Sequence, residues 1–193
     1  MNQNLLPVAL DKCYRLINHG PAVLLSAVHD GVVDVMAVSW ACALDFAPPK
    51  VTVVLDKATR TRALVEQSGM FAVQVPTAVQ AGLTLELGSR SLHDDPAKLE
   101  KSGVQLFHLD GHAVPLVDGC SAWLLCRLLP EPHNQQTYDL FIGEVVAAWA
   151  DARVFRDGHW HFEDAPAALR SLHYIAGGHF YAIGEAITVA VQP

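Results

Sequence analysis

The chain has 193 residues and a formal net charge of −7, with 51% hydrophobic and 17% charged residues. It is long and apolar enough to bury a core, so we expect one domain over residues 1–193 with its core at about 20–185. The acidic balance argues against a nucleic-acid partner. No apolar run approaches the roughly 20 residues of a membrane span, so we expect no membrane partner either.

The N-terminus and the cysteines favour a cytoplasmic protein. The first residues lack the basic start and the long apolar segment of a signal peptide. Cys13, Cys42, Cys120 and Cys126 are widely spaced and form no Cys-x-x-Cys pair. Such spacing is more typical of reduced core thiols than of disulfides or a zinc site. We expect Cys42 to be buried and unreactive.

Strand and helix patterns follow one another in the N-terminal half. Residues 8–18 are predicted as a short lead-in helix. The apolar runs Ala22–Val28 and Val32–Trp40 flank the turn His29-Asp30-Gly31 and predict a hairpin. A loop with a double proline follows. The later predicted elements of this half are a strand at Val51–Leu55, a helix at Thr61–Gln67, a strand at Met70–Val75, and helices at 77–87 and 94–102.

The C-terminal half is predicted to be mostly β-structure. Two long strand-like runs, Cys120–Leu129 and Thr137–Ala150, flank a polar loop at Pro130–Gln136, and a small hairpin is predicted at Val154–Phe162. Residues 166–175 are predicted as a helix. Six or more strands with inserted helices predict a mainly β fold, a closed or nearly closed antiparallel barrel. No GxGxxG or GxxxxGKS/T motif is present, so a nucleotide would need another kind of site.

The segment Met36–Thr61 carries the strongest functional signal. It runs from an apolar strand through a second strand into a cationic, hydroxyl-rich turn. Lys57, Arg60 and Arg62 against Asp56 give this turn a charge of +2, on a chain that is acidic overall. Since the turn also opens a predicted helix, whose first N–H groups lack partners, it favours a bound phosphate.

Together these segments resemble the flavin reductase-like, FMN-binding split barrel family, and its flavoredoxin-like branch in particular. The resemblance spans about residues 20–185. It rests on the order and spacing of four segments: VMAVSWACALDFAPPKVTVVL, KATRTRALVEQSGMFAVQVP, LFIGEV (Leu140–Val145) and LHYIAGGHFYAIGE (Leu172–Glu185). Two departures concern the strand Phe71–Pro76, where the family often has Asn, and Ala97-Lys98-Leu99, where an Asp-Lys-Phe motif is usual.

The resemblance implies a homodimer that binds FMN non-covalently at the subunit interface. It also implies an NAD(P)H:flavin reductase, in which hydride passes from NADH or NADPH to the flavin. No metal is expected. By motif, the flavin ring would be lined by Ala37, Val38, Ser39, Trp40, Ala41, Ala43 and Leu44. The phosphate would be held by Lys57, Ala58, Thr59, Arg60, Thr61, Ser89 and Arg90.

Other interpretations stay open from the sequence. Met36–Ala41 is equally typical of a core strand, and the turn at 57–62 of a solvated helix start with Thr59 or Thr61 as N-cap. A flavoredoxin-type electron carrier that receives electrons from a protein is one rival function. A split barrel that binds another ligand, or none, is a second. A flavin-dependent monooxygenase or an electron-transfer protein is a possible partner.

Two groups of histidines are candidates for chemistry. His159-x-His161 has zinc-ligand character, but no third ligand is evident nearby in the sequence and a solvated hairpin is the favoured interpretation. His173 and His179 lie in the C-terminal segment that the resemblance puts near the flavin. They are candidates for orienting the nicotinamide or controlling flavin access, and we expect the segment 173–181 to act as a lid.

Overall fold

A computed structural model describes residues 20–189, so the helix predicted at 8–18 lies outside the described residues. The strands are β1 (Val23–His29), β2 (Val32–Val38), β3 (Ala41–Phe46), β4 (Pro49–Val54), β5 (Met70–Val75), β6 (Leu106–Phe107), β7 (Leu116–Val117), β8 (Ala122–Leu129), β9 (Leu140–Ala150), β10 (Phe155–Arg156), β11 (His159–Trp160), β12 (Leu172–Ala176) and β13 (His179–Ala182). The α-helices are α1 (Arg60–Ser68), α2 (Ala81–Ser89), α3 (Lys98–Ser102) and α4 (Pro132–Tyr138).

Seven strands form one antiparallel sheet in the order β2-β1-β5-β8-β9-β4-β3. The two edge strands, β2 and β3, are joined by only Ser39 and Trp40. The sheet must therefore curl until its two edges come together at this link. The Val54 amide donates to the Trp40 carbonyl at 3.1 Å, which extends the pairing of β3 with β4 into the link. The predicted barrel with inserted helices is confirmed, and its closing point is the segment with the strongest functional signal.

Strand alternation decides which side chains fill the barrel. Val23, Leu25 and Ala27 of β1 lie in the main buried cluster, whereas Leu24 lies in a second cluster on the opposite face. Full burial of a valine or leucine side chain stabilises the fold by about 1.5–3 kcal/mol. Inside the barrel, Phe71 approaches β9 so closely that a Cβ at position 143, which is glycine, would overlap its ring.

The helices pack on different faces of the sheet. Leu64 and Val65 of α1 join the main cluster, and α1 ends at Gly69, whose left-handed φ of 68° lets its N–H donate back to Val65. On the other face, α2 lies against β2, with Gly88 so near Ala37 that an added Cβ would stand 3.0 Å away. No described helix is long and apolar enough to cross a membrane.

Two predicted loops contain regular structure. Ala41–Phe46, expected as a loop, is the strand β3, paired with β4. Most residues of β3 are exposed, and neither face of the strand is buried. Its sequence therefore lacks the apolar alternation by which a half-buried strand is predicted. Pro130–Gln136 was also expected as a loop, but α4 begins at Pro132. This polar helix is held by a tertiary contact, a hydrogen bond from Arg62 to the Gln135 carbonyl.

Two predicted helices were wrong in part or entirely. Only Lys98–Ser102 of the segment 94–102 is helical, since the preceding residues form turns around Asp95. In the segment 166–175, Ala167–Leu169 is a single 3₁₀ turn and Leu172–Ala176 is β12. The hairpin pairing of β12 with β13 prevailed over helix propensity there.

Candidate functional site

A groove with three parts runs along the free edge of β2. We call these parts the broad cleft, with a volume of about 480 Å³, the cationic cleft, of about 260 Å³, and the narrow pocket, of about 110 Å³. Ala37 lines all three parts. They therefore form one continuous surface beside this strand.

The broad cleft is mostly apolar. Its lining residues are Met36, Ala37, Val38, Ser39, Trp40, Val54, Asp56, Tyr138, Asp139, Tyr174, Ile175 and Ala176. Of the residues expected at a flavin ring, Ala37, Val38, Ser39 and Trp40 are here. An edge strand presents unpaired backbone N–H and C=O groups, so this slot offers both an apolar wall and hydrogen-bonding groups to a planar heterocycle.

The cationic cleft lies between the N-terminus of α1 and the end of α2. It brings together Ala58, Thr59, Arg60, Ser89 and Arg90, all of which were expected at the phosphate. The half-buried Arg60 side chain makes no hydrogen bond or ion pair with the residues that the structure describes. Arg90 is instead paired with two carboxylates, those of Glu86 and Asp95, and the Ser89 hydroxyl donates to the Leu85 carbonyl at 2.7 Å. Arg60 is therefore the cation most available to an anion.

A buried ion pair forms part of the wall of the cationic cleft. Lys98 Nζ lies 2.9 Å from Asp34 Oδ1, and both side chains are almost completely buried. The other oxygen of Asp34 accepts a hydrogen bond of 2.6 Å from the Thr61 hydroxyl. Because the Thr61 hydroxyl donates its proton to Asp34, it is not available to donate to a phosphate, although it was expected to do so. The pair ties α3, β2 and α1 together around the cleft.

Lys57 contacts α4 instead of the cationic cleft. Its Nζ donates to the Gln136 carbonyl at 2.7 Å and lies 3.6 Å from the Asp139 carboxylate. The buried Arg62 also binds Asp139, which it reaches from α1. The hydrogen bond from Arg62, reinforced by the charge of Lys57, holds the pKa of the Asp139 carboxyl below its usual range. Both cations thus fix Tyr138 and Asp139 beside the broad cleft.

The hairpin of β12 and β13 faces the groove with aromatic side chains, not with its histidines. Tyr174 lines the broad cleft and the narrow pocket, and Phe180 packs against it with ring centres 5.0 Å apart. Strand alternation turns His173 and His179 to the opposite face, where His179 contacts Tyr181 at 5.1 Å. Neither histidine lines the broad cleft.

The residues expected to extend the ring wall along β3 lie outside the groove. Ala43 and Leu44 are exposed and Ala41 is half-buried, and none of them lines the broad cleft. The expectation for Cys42 was wrong, because this thiol is exposed on the same edge strand. Cys120 and Cys126 are buried free thiols, and burial raises the pKa of each to about 12.

The candidate zinc site at His161 has two carboxylates nearby, but an arginine already binds one of them. Ligand atoms of His161, Glu163 and Asp164 lie within 4.8 Å of one another, and His159 is not part of this group. Asp164 accepts a hydrogen bond from Arg156. A guanidinium on the carboxylate, with two of the three residues exposed, is the arrangement of a solvated hairpin surface.

Sequence reasoning missed several residues of the groove. Asp34 and Lys98 line its cationic cleft and neither was assigned a role there, whereas Tyr174 lies in the segment 173–181 that was expected to act as a lid. The sequence did contain a signal for Lys98, because this residue is the lysine of the Asp-Lys-Phe motif, whose two flanking residues differ in this chain. Thr84, which lines the narrow pocket, had no such signal, because a threonine inside a helix pattern looks like any polar helix residue.

Comparisons with known proteins agree on one family. The profile of the flavin reductase like domain matches residues 14–189. The chain is similar, at 61% identity and a TM-score of 0.87, to the crystal structure of an FMN-binding domain of a flavin reductases-like enzyme from Shewanella baltica. That match covers 98% of this chain and 100% of the other. An uncharacterized protein of Escherichia coli (strain K12) is 38% identical over 95% of this chain and 97% of its own.

A more distant likeness concerns the fold alone. Flavoredoxin of Desulfovibrio vulgaris (Miyazaki F) is 20% identical and superposes with a TM-score of 0.75, covering 98% of this chain and 96% of the other. The split β-barrel predicted from the sequence is confirmed by these matches.

Proposed function

The chain belongs to the flavin reductase-like domain family, and we propose that it binds FMN non-covalently in the groove along β2. The main support is the union of a cationic cleft and a broad apolar cleft on one strand. FMN has a phosphate at one end and a planar ring at the other. Arg60 and the N-terminus of α1 suit the phosphate, and the broad cleft suits the ring.

The proposed reaction is that of an NAD(P)H:flavin reductase. When bound, FMN would supply the hydride-accepting centre, so the protein needs to provide position and not a nucleophile. The edge of β2 offers backbone groups to the ring. Tyr138 and Tyr174 border the opening, where they can orient a nicotinamide and exclude water. NADH and NADPH both stay candidates for the co-substrate.

We also propose a homodimer with the cofactor close to the interface. Trp40, Leu44 and Phe46 are large apolar residues that are 50%, 51% and 98% exposed on or beside β3. Such a patch is typical of a protein–protein contact. Since Trp40 also lines the broad cleft, a second copy on this patch would lie next to the ring. Light scattering at micromolar concentration should report a dimer, and a monomer with flavin bound would contradict the proposal.

An electron carrier is the second candidate function. Trp40 and Tyr138 are exposed at the mouth of the broad cleft, which suits docking of a protein that donates or accepts electrons. A flavin-dependent monooxygenase or an electron-transfer protein would be the partner. The cytoplasmic location stays a prediction, supported by the free thiols of the described cysteines.

The absorption spectrum of the freshly purified protein tests cofactor binding directly. We expect a flavin spectrum, release of FMN on denaturation, and anaerobic bleaching by NADH or NADPH. A protein that is colourless and does not bind added FMN would overturn the proposal. Bleaching only with a protein donor, and no turnover of free FMN, would favour the carrier instead of the reductase.

A further inference from the structure

A further cleft lies at the C-terminal end of β9 and shares no lining residue with the groove along β2. Its floor consists of two neighbouring cross-strand pairs of β8 and β9, one of which is Leu124 with Ala148. Because the β9 members of both pairs are alanines, the floor is low. We call this site the apolar cleft. It has a volume of about 470 Å³ and is lined by Ala122, Leu124, Ala148, Trp149, Ala150, Phe155 and Trp160, all of which are apolar.

An aromatic cluster on the β10–β11 hairpin forms the wall of the apolar cleft. The rings of Phe155 and Trp160 meet edge to face with their centres 5.1 Å apart. Trp160 also stacks on Phe162 with ring centres 4.9 Å apart, so its orientation is fixed. Trp160 nevertheless stays 40% exposed. An exposed, preorganised aromatic surface of this kind is typical of a protein contact.

β9 has a free edge beside the apolar cleft. Its pairing with β4 ends at Lys50 and Glu144, whereas its pairing with β8 continues to Ala150. No other described strand of the sheet lies next to β9. A free sheet edge in a native protein is usually covered or blunted, so this end of β9 is a place where another chain can pack.

The turn between β3 and β4, residues 46–49, presents an apolar side chain to solvent. Phe46 is 98% exposed, and no large apolar side chain of the described residues is more exposed. The charges that flank this turn neutralise each other, since Lys50 Nζ lies 2.7 Å from the Asp45 carboxylate. Lys50 also donates to the Pro48 carbonyl, and the Phe46 amide donates to Asp45. These bonds fix the turn in one shape, which lowers the entropic cost of binding through it.

We propose that Phe46 of one copy of the chain inserts into the apolar cleft of a second copy, and that the second copy inserts its own Phe46 into the first. The inference rests on the proposed homodimer and adds the contact that holds it. The cleft is about three times as large as the roughly 150 Å³ cavity that holds a benzene molecule, so it has room for the phenyl ring and the prolines beside it.

The positions of the turn and the cleft favour a second copy as the occupant. In the antiparallel register Pro49 comes level with Val145, where the free stretch of β9 begins. The turn and the cleft are therefore neighbours on one chain, and a two-fold axis between them brings each against its counterpart. Phe46 also continues the exposed patch of Trp40 and Leu44, so the same contact would cover that patch.

A disulfide between subunits tests this contact directly. Two full-length variants, Phe46→Cys and Ala148→Cys, are co-expressed in a Cys42→Ser background, since Cys42 is an exposed thiol. After mild oxidation we expect a covalent dimer in which mass spectrometry finds the peptide of position 46 joined to the peptide of position 148. Because each chain carries only one of the two new cysteines, this link must join two subunits. The Cys42→Ser protein alone should give no covalent dimer.

Phe46→Asp should raise the dissociation constant of the dimer, measured by analytical ultracentrifugation. Loss of a central aromatic anchor weakens binding by roughly 30-fold, so the two symmetric contacts together should give roughly 900-fold. Val79→Asp is the matched control, because it places the same charge on another apolar residue, 71% exposed, and should leave the dimer intact. Since Phe46 is exposed within its own chain, the circular dichroism of Phe46→Asp should match that of the wild type.

The possible failures of this inference differ from those of the proposed function. A dimer that persists in Phe46→Asp, or one without the link between positions 46 and 148, would overturn the inference and leave the proposed homodimer standing. Rapid maleimide labelling of Ala148→Cys in the dimer would also overturn it, since the cleft would then be open to another ligand. A monomeric wild type would refute both the contact and the homodimer. FMN binding is a separate result, because Phe46 lines no part of the groove.

Discussion

Replacing Arg60 by alanine should weaken FMN binding about 10- to 150-fold, whereas Lys57→Ala should change it by less than about threefold. A hydrogen bond to a charged group contributes about 1.5–3 kcal/mol, and every 1.4 kcal/mol is tenfold in affinity. The Arg60 guanidinium has no partner among the described residues and lines the cationic cleft. Lys57 is already bound to the Gln136 carbonyl and faces Asp139.

The two substitutions form a matched pair, since each removes one positive charge within four residues of the other. Their effects on the long-range field should therefore be similar, and the difference reports the direct contact. Calorimetry with FMN measures the loss, and riboflavin, which lacks the phosphate, is the control ligand. Riboflavin affinity should be unaffected by Arg60→Ala. An equal loss of FMN affinity in both variants would refute the assignment of Arg60 as the phosphate contact.

Lys98→Met should destabilise the protein by about 3–5 kcal/mol in urea unfolding, because it leaves Asp34 buried without its cation, and adding Asp34→Asn should restore most of the loss. A loss below about 1 kcal/mol, the value of an exposed pair, would contradict this. Tyr174→Leu should raise the Michaelis constant for the nicotinamide several-fold while FMN content stays normal, and His179→Ala, on the opposite hairpin face, should change neither in steady-state kinetics. The lowered pKa of Asp139 adds stability above the unfolded value of about 3.9, and this contribution disappears as the pH falls through the folded pKa. The stability difference between the wild type and Asp139→Asn should thus begin to shrink below about pH 4 and close once the pH is below the folded pKa, and a difference that does not shrink on acidification would contradict the assignment.

Local patterns determined most of the barrel. The apolar run and turn of the first hairpin predicted β1 and β2, and Met70–Val75 was predicted with the bounds that the structure has. Such strands are half-buried or fully buried, so their composition reports their structure. β3 and α4 gave no such signal. Their residues are mostly exposed or polar. β3 is held by its pairing with the neighbouring strand β4, and α4 by a hydrogen bond from Arg62, which is distant in sequence.

The sequence by itself determined the family, the barrel and the two ends of the candidate site, because local motifs carry them. It could not assign the individual cations of the turn at 57–62. Only the tertiary structure showed that Arg60 faces the groove while Lys57 and Arg62 face α4. Within α1 the helix turns Arg60 and Arg62 in different directions, and Lys57 lies in the turn before the helix. The partnership of Asp34 with Lys98 and the unpartnered hydroxyl of Thr84 were decided in the same way. Each depends on which elements the closed barrel brings into contact, and residue order alone does not contain that information.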